Sequence, residues 1–148
     1  MLKENLIEIF ERDLNKLKIE ISSYSEESKL WIIEKNIKNS GGNLCLHLIG
    51  NLNQFICGVI GKSGYIRNRD AEFNDKNIPK KILLKNIDDS IENIITILKS
   101  MEEEEFQTIY PIDVFNQKMT TGYFLIHLTT HLNYHLGQIN YHRRLIGG

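Results

Sequence analysis

Apolar residues recur every three to four positions at the start of the chain, where Leu2, Leu6, Ile9, Phe10, Leu14, Leu17 and Ile21 form one stripe. That spacing predicts an amphipathic helix over Leu2–Ser22. A polar linker, SYSEES, follows, and Leu30–Asn36 suits either a short helix or an extended segment. Ser40, Gly41 and Gly42 then break the pattern, and Asn43 is the expected cap of a second helix over Leu44–Ile60. Leu44, Leu48, Leu52 and Phe55 make the apolar stripe of that helix, with His47, Asn51 and Gln54 in a polar row beside it. Gly58, Gly61 and Gly64 are expected to end it.

The next stretch, YIRNRDAEFNDKN, is charged and has no period, so it reads as a loop. A third helix is expected from Pro79, a good first-turn residue, with Ile87, Ile91, Ile94, Ile95 and Leu98 buried. Its end carries the acidic run Glu102–Glu105, which opposes the helix dipole and is expected to fray. Phe106–Phe115, containing Pro111, reads as an extended crossover. Thr120 or Thr121 opens the last helix, which runs to about Leu145, where Arg143 and Arg144 suit its C-terminal dipole. Four amphipathic helices with a long crossover before the last one predict an all-α fold, a four-helix bundle forming one domain over residues 1–148.

Composition narrows the function classes. With 18 basic and 19 acidic side chains among 148 residues the net charge is -1, which provides no global field for nucleic acid or anionic lipid. The N-terminal segment is charged throughout and lacks the apolar core of a signal peptide, and no apolar stretch is expected to span a bilayer. These features place the expected location in the cytoplasm. Cys45 and Cys57 fall on one helix about 18 Å apart, beyond disulfide reach, and read as reduced core thiols.

The distinctive chemistry lies in the last helix. In HLTTHLNYHLGQINYH, His127, His131 and His135 are four residues apart and share one stripe, with His142 near it. Phe124, Leu128 and Ile139 flank that stripe on one side, Tyr134 and Tyr141 on the other, so the imidazoles point toward the core. Buried imidazoles need partners, since an unpaired buried polar group costs about 1–3 kcal/mol. A metal ion held by an i, i+4 histidine pair plus a ligand from a facing helix meets that need, and His47 is the one histidine outside the last helix. Three imidazoles would leave a coordination position open, as in catalytic sites, able to bind a thiolate or lower the pKa of water to about 7. Imidazole suits zinc, nickel, copper and iron alike.

NLCLHLIGNLNQFICGVI, YIRNRDAEF and HLTTHLNYHLGQINYHRR together resemble the DinB/YfiT-like superfamily, over about Trp31–Arg144. The resemblance implies an up-down-down-up bundle, a homodimer, and one divalent metal per subunit, zinc or nickel. Carried over by position, its ligands are His47, His131 and His135, which leaves His127 outside the triad. The basic residue usual after the last ligand is replaced here by Leu136. Relatives that act as low-molecular-weight thiol transferases imply a thiol or electrophile as the small-molecule partner, with no nucleic acid and no membrane. A non-catalytic, stress-responsive metal-binding bundle is the alternative.

Other residues have more modest expectations. His127 is read as a pocket or supporting residue, and Asn51 either orients a ligand or fills a polar gap in the core. Arg67, Arg69, Asp70 and Glu72 form either a salt-bridged loop or a rim that reads carboxylates. Tyr65, Tyr134 and Tyr141 are read as packing residues, and Asp13, on the inner face of the first helix, as a buried partner for a histidine.

Overall fold

The computed structural model describes residues 1–147, and among them there is no β-strand. Five α-helices are present: α1 (Leu2–Ser23), α2 (Gly41–Leu52), α3 (Arg69–Asn74), α4 (Lys80–Ser100) and α5 (Thr121–Leu145). The predicted stripe of α1 is the buried one, with Leu6, Phe10, Leu14, Leu17 and Ile21 almost fully covered. Each such side chain contributes about 1.5–3 kcal/mol by leaving water. α1 packs against α4 and α5, and α2 packs against α3, α4 and α5, so the four long helices share one core.

The second helix starts earlier than its apolar pattern suggests. Ser40, not Asn43, is its cap: Ser40 Oγ accepts from the Asn43 backbone N–H at 3.2 Å. The Asn43 side chain is used elsewhere, its Nδ2 donating to the carbonyls of Glu72 and Asp75 at 2.9 Å each. That tie holds α3 against α2. Gly42 permits the close start, because a Cβ there would lie 2.7 Å from the Trp31 ring. The helix also does not stay α-helical to Ile60. From Asn53 it widens into a π-helix, Asn53–Ile60, with Gly58 inside it and Gly61 as its cap. Asn53 Nδ2 bonds the Ile49 carbonyl at 2.9 Å and Ser90 Oγ at 3.2 Å across to α4.

The run Gly41–Ile60 reaches the length and mean hydropathy, 1.3 over its best window, of a membrane span, contrary to the expectation that no stretch does. The core helix of a folded domain has the same profile, and the polar side chains of Asn43, His47 and Asn51 are buried here within the fold.

The charged stretch read as loop contains α3. Asn68 caps it, its Oδ1 accepting from the Ala71 N–H at 3.1 Å. Pro79 is the N-cap of α4 and not its first turn. The acidic run does not fray from α4: after Met101 it forms a separate 3-10 turn, Glu103–Gln107, closed by a capping box between Glu102 and Glu105. The segment Glu27–Trp31 is likewise a 3-10 turn, followed by irregular chain. The crossover before α5 is pinned by two isolated bridges, Ile109 with Thr120 and Val114 with Gln117. Thr120 then caps α5, accepting from the Tyr123 N–H at 3.1 Å.

Candidate metal centre

The α5 register brings His131 and His135 onto one face, their ring centroids 4.5 Å apart. α2 presents His47 opposite, with centroids 5.1 Å from His131 and 5.2 Å from His135. One ligand nitrogen from each of the three lies within 4.8 Å of the others, which makes a candidate three-histidine metal site. The Nε2 atoms of His47 and His131 are 3.3 Å apart. Two nitrogens bound at about 2.0–2.1 Å in a tetrahedral zinc site are separated by roughly the same amount.

The remaining ring nitrogens fix the tautomers. Nδ1 of His47 lies 3.0 Å from Glu72 Oε1, and a carboxylate only accepts, so Nδ1 carries the proton and Nε2 keeps its lone pair. Nδ1 of His135 lies 2.7 Å from Gln138 Oε1, with the same consequence when that oxygen accepts. His131 is the unbalanced member. Its Nδ1 is buried and has no partner, while its Nε2 faces the His47 lone pair. Burial, reinforced by His135, His47, His127 and Arg67, pushes the His131 pKa down to about 4. Burial also lowers His47, against the opposing pull of Glu72. Both rings are therefore neutral near pH 7 and have lone pairs to donate. The donor set, its spacing and its protonation all fit a divalent cation.

Glu72 is held behind His47 by Arg67, whose Nε and Nη2 meet its two carboxylate oxygens at 2.8 and 2.9 Å. Gly50 on α2 leaves the space for that carboxylate, which a Cβ would occupy. The order Arg67, Glu72, His47 thus turns a residue of α3 into the orienting partner of a candidate ligand on α2. The lack of a period in this stretch hid that role. Its one local sign is Asn68, a capping residue followed by acidic Asp70 and Glu72 in the first turn.

The other sequence candidates are distributed as follows. His127 stays out of the cluster, its centroid 6.5 Å from that of His131, and its ring lies between Phe115 and Phe124. Asn51 is buried with its Oδ1 unpartnered. His142 leaves the stripe: Tyr24 Oη and the Ile32 carbonyl occupy its two nitrogens at 2.7 and 2.8 Å. Asp13 is buried but reaches no histidine; Arg12 and Asn133 bind it instead, because α1 meets α5 on the face opposite the cluster residues. Tyr134 and Tyr141 are exposed and do not pack in the core, while Tyr65 is half-exposed. Cys45 and Cys57 are free buried thiols, pushed up to about 12 and about 11 by burial, which keeps them protonated.

Two cavities approach the cluster. One of about 480 Å³ reaches His47 and His131 between Asn51, Phe55, Phe115 and Leu128. Another of about 520 Å³ reaches His135 between Leu44, Tyr134, Gln138 and Tyr141.

The fold and these residues define an all-helical protein with a candidate three-histidine centre open to small molecules. The chain belongs to the family described as "Protein of unknown function (DUF1572)", whose model matches residues 3–148. That family lies in the DinB/YfiT-like superfamily. No curated protein matches the chain.

Proposed function

We propose that the protein binds one divalent metal, zinc or nickel, through His47, His131 and His135, and uses it in a transfer reaction on a small-molecule thiol or electrophile. The observation that carries this reading is the convergence of three imidazole nitrogens from α2 and α5, two of them oriented by Glu72 and Gln138. Three imidazole ligands with no fourth in the cluster, among the described residues, match a catalytic site better than a closed structural one. A divalent cation there supplies Lewis acidity to whatever reaches the remaining position. The two flanking cavities favour a small-molecule reaction over a purely structural metal. In the same proposal the four long helices form an up-down-down-up bundle of DinB type, working in the cytoplasm as a homodimer. Exposed Tyr123, Ile126, Tyr134 and Tyr141 on α5 offer an apolar face for that pairing.

The test is elemental analysis of protein purified without chelator, paired with a thiol-transfer assay. About one metal per chain is expected, lost in His131→Ala and kept in the exposed control Lys99→Ala. Metal-free wild-type protein that takes up neither zinc nor nickel on titration would overturn the reading. Metal uptake without any thiol-dependent turnover would leave the non-catalytic alternative.

A further inference from the structure

The cavity beside His47 and His131 has a charge pattern that the metal reading does not require. Its walls are mainly apolar, with Phe55, Val114, Phe115, Phe124 and Leu128 among them. Its charged members are both cationic, Arg67 and Arg69, and no carboxylate lines it. Arg67 is already neutralised by its two bonds to Glu72. Arg69 forms no ion pair among the described residues, and its guanidinium lies 5.7 Å from the centre of the Phe73 ring. Arg67 lies over Phe55 in the same way, at 5.9 Å. A second, independent observation points into the same space: Asn51, only 7% exposed, lines the cavity with its Oδ1 unpartnered. That oxygen is enclosed and no hydrogen bond engages the amide, so rotation of the Asn51 side chain would present an unpaired polar atom to a ligand's polar group.

We propose that this cavity recognises a small organic carboxylate, its apolar or aromatic body against Phe55 and Phe115, its carboxylate on Arg69, and a further polar group on Asn51. The inference rests on the site proposed above and adds the chemical class of its ligand. A guanidinium reads a carboxylate through two parallel hydrogen bonds, which a neutral amide of the same shape cannot reproduce. Arg69 is therefore a specificity-determining residue and not a metal ligand.

The experiment is calorimetric titration of phenylacetate, and of its neutral counterpart phenylacetamide, into zinc-loaded and chelator-treated protein, with the metal content of each sample measured. Phenylacetate is expected to bind at least about 10-fold more tightly than phenylacetamide. Arg69→Gln should abolish that preference and Arg69→Lys restore part of it; Arg69 is exposed, so the fold is not at stake. Equal binding of the two probes, no binding of either, or a preference that survives Arg69→Gln would overturn the inference. Anion binding that is independent of Arg69 but present only with zinc would sink this inference and leave the metal centre standing. Arg69-dependent preference in protein that takes up no metal would support the cavity's ligand class while the metal reading fails.

Discussion

His131 has the least settled environment in the molecule, and its protonation sets a pH dependence. Its ordinary pKa near 6.5 falls to about 4 in the fold. Above pH 6.5 the ring is neutral in both folded and unfolded chains, so no stability is lost. Between about 6.5 and 4 the unfolded chain takes up a proton that the folded one refuses, and stability falls through that window. Urea midpoints of chelator-treated protein should drop between pH 7.5 and pH 5, and His131→Gln should flatten the drop. Glu72 stands one step back from the candidate ligands, at 3.0 Å from His47 Nδ1. Glu72→Gln keeps the shape, removes the charge that orients His47 and leaves Arg67 unpaired, so metal affinity should fall about 10–100-fold in competition with a chromophoric chelator. Asp13→Asn should lower stability and leave metal affinity unchanged, because Asp13 serves Arg12 and Asn133. At this scale the candidate ligands His131 and His135 were legible because histidine spacing on a helix translates directly into direction. Glu72 was not, because its role depends on a contact 25 residues away on another element.

At the scale of elements, α2 and α3 behave as a unit. Gly50 gives the Glu72 side chain its place, and Asn43 ties the end of α3 to the start of α2. Gly50→Ala should therefore cost about 1–3 kcal/mol by crowding. It should also weaken metal binding, since the carboxylate it displaces is the partner of His47; chelator competition and thermal melting on the same sample read both effects. A simple packing defect would move the melt alone. α1, α4 and α5 were legible from their stripes, each long enough for several turns of period. α3 has six residues, less than two full turns, and its buried Glu72 looks like a solvated charge in the sequence. The change from α to π at Asn53 leaves no mark in the apolar pattern either. Contacts to other elements accompany it, including Asn53 to Ser90 and the Tyr110 hydroxyl to the Phe55 carbonyl at 2.6 Å.

For the whole molecule, the acid-to-asparagine contacts between α1 and α5 recur at a seven-residue interval: Asp13 with Asn133, and Glu20 with Asn140 and Arg143. They fix the register of the two helices and hence the height at which α5 presents its histidines to α2. Binding that favours the folded state adds to stability by mass action, about 2.7 kcal/mol at a free metal concentration of 100 times Kd. For a domain of this size that corresponds to a rise of roughly 5–10 °C in Tm on adding zinc to chelator-treated protein. The rise should vanish in His131→Ala. The all-helical class was readable from period alone. The partition of the core between helix pairs was not, because amphipathic stripes state that a face is buried and not against what.

His47 and His131 are 84 residues apart in sequence yet meet at hydrogen-bonding distance. Tethering both to one ion would pin together the ends of a loop longer than half the chain, as a long-range disulfide does in secreted proteins, without needing an oxidising compartment. Stripping the ion would then do more than silence a reaction: it would release that tether, and proteases should find the segment between α2 and α5 first.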